Sequence, residues 1–525
     1  MQLQKESEKF CHRILNLSTN HPKGLASLVM SLSSNRFAGS VVGLSENPMY
    51  QHSYSSVSQV VSTLSKDKSS HNSVQSALQS LYNSYFSRQE VYVLQTDVSP
   101  IEKPHSRKMG ERHYIHTPNH VVPGEKHLGV GHDYSYINLG YTPPQGGHRW
   151  SLPFDIERVR LESNAISTAL EQTHRLMENE SLPFGKARLV INEADSGYAT
   201  PRFIEPLVSR YANLALVIRF RNSSKVWQQV PQNTDSYTDS YTDSPTQTDV
   251  STEKTGKKKI GARAIYGETT YYLQLGSGDH ATKNGKTKEV ATKYRDAIYD
   301  LTADETLEIN ETTSKGRKVI VRIKMWRNLM IRTKKGNNMK DKPFNLVGVQ
   351  VIDEITAELL FKKPMFIAIF GTPKDSISAL LGYQSYRQRY DIEVHNRFSK
   401  HQLFLDKYQT PDVQTLDNWT LIVACAYWLL FVASLEVELT PKPWERNLPQ
   451  YKQIPSTEQT LPPQKSVAQT KKAAFDLFYT FDLKPFAPKS VKNGKGRISG
   501  SLFKKRTSKK VLKKSDFDNK TRQNE

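Results

Sequence analysis

The spacing of apolar residues predicts a helical N-terminal domain over residues 1–88. Apolar side chains recur at helical spacing in Leu25–Val29 and again in Val57–Leu64, and serine-rich turns separate these segments. From residue 89 to residue 221 the pattern changes to short β-rich runs that alternate with helical stretches. The predicted strands are Val91–Asp97, Tyr134–Leu139, Trp150–Phe154, Ala187–Asn192 and Leu214–Phe220, with helices at Glu162–Met177 and from Pro201. This order predicts an α/β domain.

Residues 222–364 have little helical periodicity and are rich in short β segments, which predicts a mostly β domain inserted into the α/β domain. Predicted strands are Thr270–Leu275, Val319–Met325 and Asn345–Ile352, and three tandem Thr-Asp-Ser repeats indicate a low-complexity polar loop at 234–249. The α/β pattern resumes at 365–440 with an apolar strand and helices. The uncharged run Trp419–Leu435 is 17 residues long, near the lower limit for a membrane span. We interpret it as a buried helix, so no membrane association is predicted.

The last region, 441–525, begins with a linker rich in proline, glutamine and lysine, and ends in a basic, partly disordered tail. Between Lys484 and Lys514 there are twelve lysines or arginines and no acid, and Lys504, Lys505 and Arg506 are the predicted DNA contacts. The whole chain of 525 residues carries a net charge of +21, which favours a polyanionic partner, either nucleic acid or an anionic membrane surface. Its two cysteines, far apart in sequence, suit a reducing cytoplasm.

Four residues in the 365–440 region have a spacing that suggests a site for binding metal ions and phosphates. On one continuous helix, Tyr386, Arg389, Glu393 and Lys400 would lie within roughly 60° of one another. A carboxylate can hold a divalent metal ion, and the arginine, lysine and tyrosine can bind phosphates. The alternative is a solvated helix face with ion pairs one turn apart.

The pattern Tyr-x2-Arg-x3-Glu-x6-Lys in Tyr386–Lys400 resembles the signature around the third catalytic acid of the DDE transposases of bacterial insertion sequences. The resemblance covers roughly residues 91–220 and 365–436. It implies a ribonuclease H-like catalytic core interrupted by a β insertion, with the first acid on a central strand and the second beyond the fourth strand. Asp97 and Asp195 occupy those places, and Glu393 is the third acid. Ser99 stands where many relatives have threonine.

The resemblance also implies a mechanism. Asp97, Asp195 and Glu393 would hold a pair of Mg²⁺ or Mn²⁺ ions, while Arg389, Lys400 and Tyr386 would contact DNA. The substrate would be double-stranded DNA, cut at terminal inverted repeats and joined to target DNA. The N-terminal domain would bind the DNA ends, and a homodimer would assemble the complex in the bacterial cytoplasm, at the nucleoid. A domesticated DDE nuclease and a catalytically inactive DNA-binding derivative remain alternatives.

Overall fold

A computed structural model describes residues 5–15, 17, 21–64, 74–80, 89–116, 128–143, 147–229, 266–273, 281–283, 286–288, 298–313, 316–332, 339–361, 363–437, 465–481 and 507–512. The chain divides into two compact units. Unit 1 comprises residues 1–218 and 384–525, and unit 2 comprises residues 219–383. The low-complexity loop at 234–249 lies outside the described residues.

Unit 1 is built on a mixed sheet. Its strands are β1 (Val91–Glu102), β2 (His113–His116), β3 (Leu128–Tyr141), β4 (Trp150–Arg158), β5 (Leu189–Ala194) and β6 (Leu214–Phe220). Strand β1 is antiparallel to β3 on one side and parallel to β5 on the other, and β6 continues the parallel part beyond β5. Both β2 and β4 pair with β3. The order β4-β3-β1-β5-β6 therefore places β1 in the middle.

The helices confirm the mixed α/β class. They are α1 (Glu6–Leu15), α2 (Pro22–Ser33), α3 (Tyr54–Thr63), α4 (Ala165–Glu178), α5 (Pro201–Arg210), α6 (Ala379–Gln388), α7 (Tyr390–Gln402), α8 (Val413–Ser434) and α9 (Val467–Phe478). Residues 74–80 are also helical, and short 3-10 turns lie at Val42–Glu46, Phe184–Lys186 and Ser196–Tyr198. Helix α4 starts at a capping box in which Asn164 and Ser167 exchange hydrogen bonds.

The long apolar helix α8 forms the core of unit 1. Within the described residues it is the one helix with the length and composition of a membrane span, and 94% of its apolar window is buried. Helices α1, α2, α3 and α9 pack against it. The Trp428 indole donates a hydrogen bond to the carbonyl of Pro153 at 2.7 Å, and the Asn418 amide donates to the carbonyl of Val61 at 2.8 Å. The interpretation as a buried helix is confirmed.

Unit 2 is mostly β. Its strands are β7 (Lys225–Gln229), β8 (Tyr266–Tyr272), β9 (Ala281–Lys283), β10 (Lys286–Lys288), β11 (Glu305–Thr312), β12 (Lys318–Met330), β13 (Phe344–Asp353) and β14 (Met365–Phe370), with 3-10 turns at Ile298–Asp300 and Thr372–Ser376. The larger sheet runs β14-β13-β12-β7-β8, with β11 also paired to β12, and these neighbouring strands are antiparallel. The β-rich character expected for this region is present.

Two elements of unit 1 differ from the sequence prediction. Residues 113–116, which are not among the predicted strands, form edge strand β2, in which buried His113 and Ile115 alternate with exposed residues. Helix α9 interrupts the region predicted as linker and tail. It begins at a capping box between Ser466 and Gln469 and buries an apolar face against α2 and α8. In both cases burial on the rest of unit 1 stabilises a short element whose own apolar pattern is weak.

Candidate active site

The first two predicted acids lie beside each other because β1 and β5 are parallel neighbours. The register pairs Thr96 with Ala194, so Asp97 and Asp195 are the next residues along the two strands. Strand β5 ends there, and Asp195 precedes the 3-10 turn Ser196–Tyr198, while β1 continues along β3. The two carboxylates are thus placed at the same edge of the parallel part of the sheet.

Glu393 approaches the same place from α7. It lies in the first turn of that helix and is exposed at 44% of its side chain. One turn later, the Nδ2 atom of Asn396 lies 3.5 Å from Oδ2 of Asp97, which brings this face of α7 over β1. The structure therefore brings Asp97, Asp195 and Glu393 together from positions that are far apart in the sequence.

Asp97 is the electrostatic centre of the group. The pKa of Asp97 is raised from 3.8 to about 6, chiefly by loss of hydration and to a smaller extent by the carboxylates of Glu393 and Asp195. The Arg389 guanidinium and a hydrogen bond from the Val98 backbone act in the opposite direction. Each of the other two acids is thus close enough to Asp97 to affect its ionisation.

Arg389 is the buried cation of this site. Its guanidinium donates a hydrogen bond to the Glu393 carboxylate and lies 5.5 Å from the centre of the Tyr386 ring. Burial lowers the pKa of Arg389, but Tyr386, Asp97 and Glu393 outweigh burial and hold that pKa above its usual value. The Nε atom is buried without a hydrogen-bond partner among the described residues, so one N–H remains for another acceptor.

The motif is carried by two helices, which corrects the prediction of one continuous helix. Tyr386 belongs to α6, Arg389 lies at the junction and Glu393 belongs to α7. The amide of Ile392 donates to the carbonyl of Arg389 at 3.2 Å, three residues back instead of four. This tighter turn separates the two helices, and at the same place the carbonyl of Gln388 accepts a hydrogen bond from Nε2 of Gln95 at 2.6 Å.

Lys400 is influenced by Asp97, but the charge of Asp406 affects it more strongly. Burial lowers the pKa of Lys400, and Asp406 opposes that effect more than Asp97 does. The other predicted DNA contacts, Lys504, Lys505 and Arg506, lie outside the described residues. The nearby segment 507–512 runs along unit 1, where the amides of Lys509 and Leu512 donate to carbonyls of residues 107 and 112, each at 2.9 Å.

Two further residues belong to the site and were not among the sequence-predicted ones. Asn396 contacts Asp97, and its spacing of three residues from Glu393 was the available signal. Tyr198 is 4% exposed, and within the described residues its hydroxyl has no hydrogen-bond partner. Burial raises the pKa of Tyr198 first, and the carboxylates of Asp97 and Asp195 raise it further. The hydroxyl is therefore close to both acids.

The donor set fits a divalent metal ion of the Mg²⁺ type in its chemistry. The three carboxylates offer oxygen ligands, and Asp97 has a raised pKa that a bound cation would lower. Asn396 presents its amide nitrogen to Asp97, while its amide oxygen faces Nδ1 of His395. In the described part of the chain, no three acidic, histidine or cysteine side chains are already arranged as a metal-binding group. Glu393 is turned toward Arg389 instead, so metal binding requires this carboxylate to rotate.

Comparison with known proteins adds no relative. No protein-family model matches the chain, and no curated protein matches it.

Proposed function

We propose that this protein is a DNA transposase of the DDE class. The observation that carries the proposal is geometric: Asp97 and Asp195 directly follow a parallel register pair, and Asn396, one turn from Glu393, contacts Asp97. Three acids from sequence positions that the family resemblance requires thus lie near one another. A convergence of this kind has no evident structural use, because like charges repel unless a cation or a proton is shared among them.

The fold of unit 1 supports the same proposal. Three antiparallel strands, β1, β3 and β4, are followed by helix α4, parallel strand β5, helix α5 and parallel strand β6. This succession is the one expected of a ribonuclease H-like core. Along the chain, the mostly β unit 2 lies between the first two acids and the third, as the resemblance implies for an insertion domain.

In this function Asp97, Asp195 and Glu393 would hold one or two Mg²⁺ or Mn²⁺ ions, with Asn396 supporting Asp97. Bound ions of this type activate a water or a 3′-hydroxyl and stabilise the leaving oxygen of the DNA phosphate. Arg389 neutralises the acids and would also bind a phosphate oxygen of the DNA through its guanidinium. The Tyr386 ring stabilises the guanidinium from one side.

The wider function includes recognition of terminal inverted repeats, cleavage that exposes 3′-hydroxyls, and joining of these ends to target DNA. Two copies of the chain would hold the two ends in one complex. The excess of 73 lysines and arginines over 52 acids supports binding to double-stranded DNA. We assign the protein to the bacterial cytoplasm, in association with the nucleoid, on the same grounds.

The test is metal-dependent cleavage of DNA that carries the inverted repeats flanking the coding sequence, with Glu393→Gln compared with the wild type. Glu171→Gln is a matched control, since it makes the same change at an exposed position of helix α4. We expect the wild type and the control to cut at the repeat ends with Mg²⁺ or Mn²⁺, and Glu393→Gln to bind without cutting.

Each other outcome has a definite meaning. Joined products identify a transposase, whereas cleavage without joining supports the domesticated nuclease. Repeat binding with no cleavage by the wild type identifies the inactive DNA-binding derivative. Cleavage that survives Glu393→Gln would show that the third acid is a different residue.

A further inference from the structure

The junction between α6 and α7 coincides with one side-chain hydrogen bond. In a continuous helix the carbonyl of Gln388 would accept from the amide of Ile392. Here the Ile392 amide donates to Arg389 at 3.2 Å, and the Gln388 carbonyl accepts from Nε2 of Gln95 at 2.6 Å. A side chain of the central strand has therefore replaced a helical hydrogen bond, one residue before Arg389.

Gln95 is held in position from the opposite side. It is fully buried, and its Nε2 lies 3.5 Å from Oε2 of Glu193, its register partner on β5. Both contacts of this nitrogen are to oxygen atoms. The orientation of the amide is thus defined, because a backbone carbonyl can only accept and the group facing it must donate.

Glycine at position 140 leaves room for this arrangement. A Cβ atom on Gly140 would lie 2.6 Å from Nε2 of Gln388 and 3.3 Å from Nε2 of Gln95. The side-chain amides of Gln95 and Gln388 therefore pack directly over the backbone of β3. A side chain at position 140 would therefore displace these amides.

We propose that Gln95 is a positioning residue: by holding the Gln388 carbonyl it fixes the junction at Arg389, and so directs this guanidinium toward Asp97 and Glu393. Gln95 and Asp97 are two residues apart on β1 and therefore point to the same face of the sheet. One strand thus supplies both an acid and the group that orients the arginine opposite it. The catalytic consequence rests on the proposed function, while the structural consequence is independent of it.

The structural consequence is tested with two substitutions of similar size. Gln95→Met removes the donor, and Gln95→Glu places an oxygen against the Gln388 carbonyl. In both variants we expect the Ile392 amide to bond four residues back, and hydrogen exchange of that amide to slow. Gln172→Met is the control, because Gln172 is also buried and donates to Asp155 at 2.7 Å, but on helix α4. Unchanged exchange at residues 389–393 in folded Gln95 variants would overturn the proposal.

The catalytic consequence is tested by single-turnover cleavage of repeat-end DNA. We expect Gln95→Met to slow cleavage on the order of tenfold to a hundredfold, as small misplacements of catalytic groups do. Gln172→Met should lower the melting temperature and leave the rate within about twofold of wild type. A merely structural role of Gln95 predicts instead that both variants behave alike, which would overturn the proposal.

A double-mutant cycle with Arg389→Lys separates positioning from general destabilisation. If Gln95 acts through Arg389, Gln95→Met should slow cleavage by a much smaller factor in the Arg389→Lys background than in the wild type. An equal reduction of the cleavage rate in both backgrounds would refute this role. If the wild type does not cleave at all, the proposed function fails, and the hydrogen-exchange result still decides whether Gln95 fixes the junction.

Discussion

The guanidinium of Arg389 donates a hydrogen bond to Glu393 and also lowers the pKa of Asp97. One buried cation thus acts on two acids that come from a helix and a strand. The three residues therefore have different roles in the site. Asp97 is the acid most withdrawn from water, Glu393 is the exposed acid that can turn, and Arg389 balances both charges.

Asp97→Asn should abolish cleavage and make the folded protein more stable at pH 8. The pKa of Asp97 is raised from 3.8 to about 6 on folding, so the folded state binds more protons in this window and loses stability as the pH rises through it. Above about pH 6 Asp97 is ionised in the folded state, and its burial then lowers the free energy of unfolding by on the order of 2 to 3 kcal/mol.

Thermal unfolding in the presence of a chelator, at several pH values, measures this effect. The gain from Asp97→Asn should be largest at pH 8 and should disappear near pH 4. Glu171→Gln, at an exposed helical position, should show no such pH dependence. A variant that is less stable than the wild type at pH 8 would contradict the raised pKa.

Arg389→Met should destabilise the protein at pH 8, because it leaves the carboxylates of Asp97 and Glu393 without their shared cation. We expect a loss of about 1 to 3 kcal/mol. Adding Asp97→Asn should recover part of that loss, since one of the two unbalanced charges is then gone. Melting temperatures of the two single variants and the double variant measure the coupling, and strictly additive changes would argue against a shared cation.

Binding of Mn²⁺ should weaken as the pH falls below about 6. Asp97 must lose its proton to become a ligand, so protons compete with the metal ion for it. If one proton is displaced, the apparent affinity should fall about tenfold per pH unit in this range. Titration calorimetry at pH 5 and pH 7 tests this, and Asp97→Asn should bind weakly at both values. Equal affinity at pH 5 and pH 7 would exclude Asp97 as a ligand.

Tyr198→Phe should leave the free protein at least as stable as the wild type. The hydroxyl is buried, and none of the described residues is its hydrogen-bond partner. Its removal therefore breaks no such hydrogen bond and can raise the free energy of unfolding by about 1 kcal/mol. A fall in the cleavage rate without a fall in melting temperature would then assign the hydroxyl a role toward DNA or metal-bound water. A large loss of stability would mean that the hydroxyl has a structural partner.

Much of unit 1 could be predicted from local patterns. Apolar β-rich runs indicated β1, β3, β4, β5 and β6, although β1 ends five residues after its predicted end and β3 begins six residues before its predicted start. The uncharged run at 419–435 indicated the buried helix α8. These predictions succeed because each segment buries most of its side chains, so its own sequence reports its environment. Strand β2 and helix α9 were not predicted, since their burial depends on neighbours distant in sequence.

From the sequence alone, Glu393 and Arg389 are predicted as site residues by their spacing, and Asp97 and Asp195 by the family resemblance. The sequence could not reveal the break at Arg389, where the Gln388 carbonyl accepts from Gln95, nearly three hundred residues away along the chain. Nor could it reveal that Asn396 and Tyr198 adjoin Asp97. Local sequence encodes which elements form, whereas hydrogen bonds and charges between distant elements fix how the side chains of a site face one another.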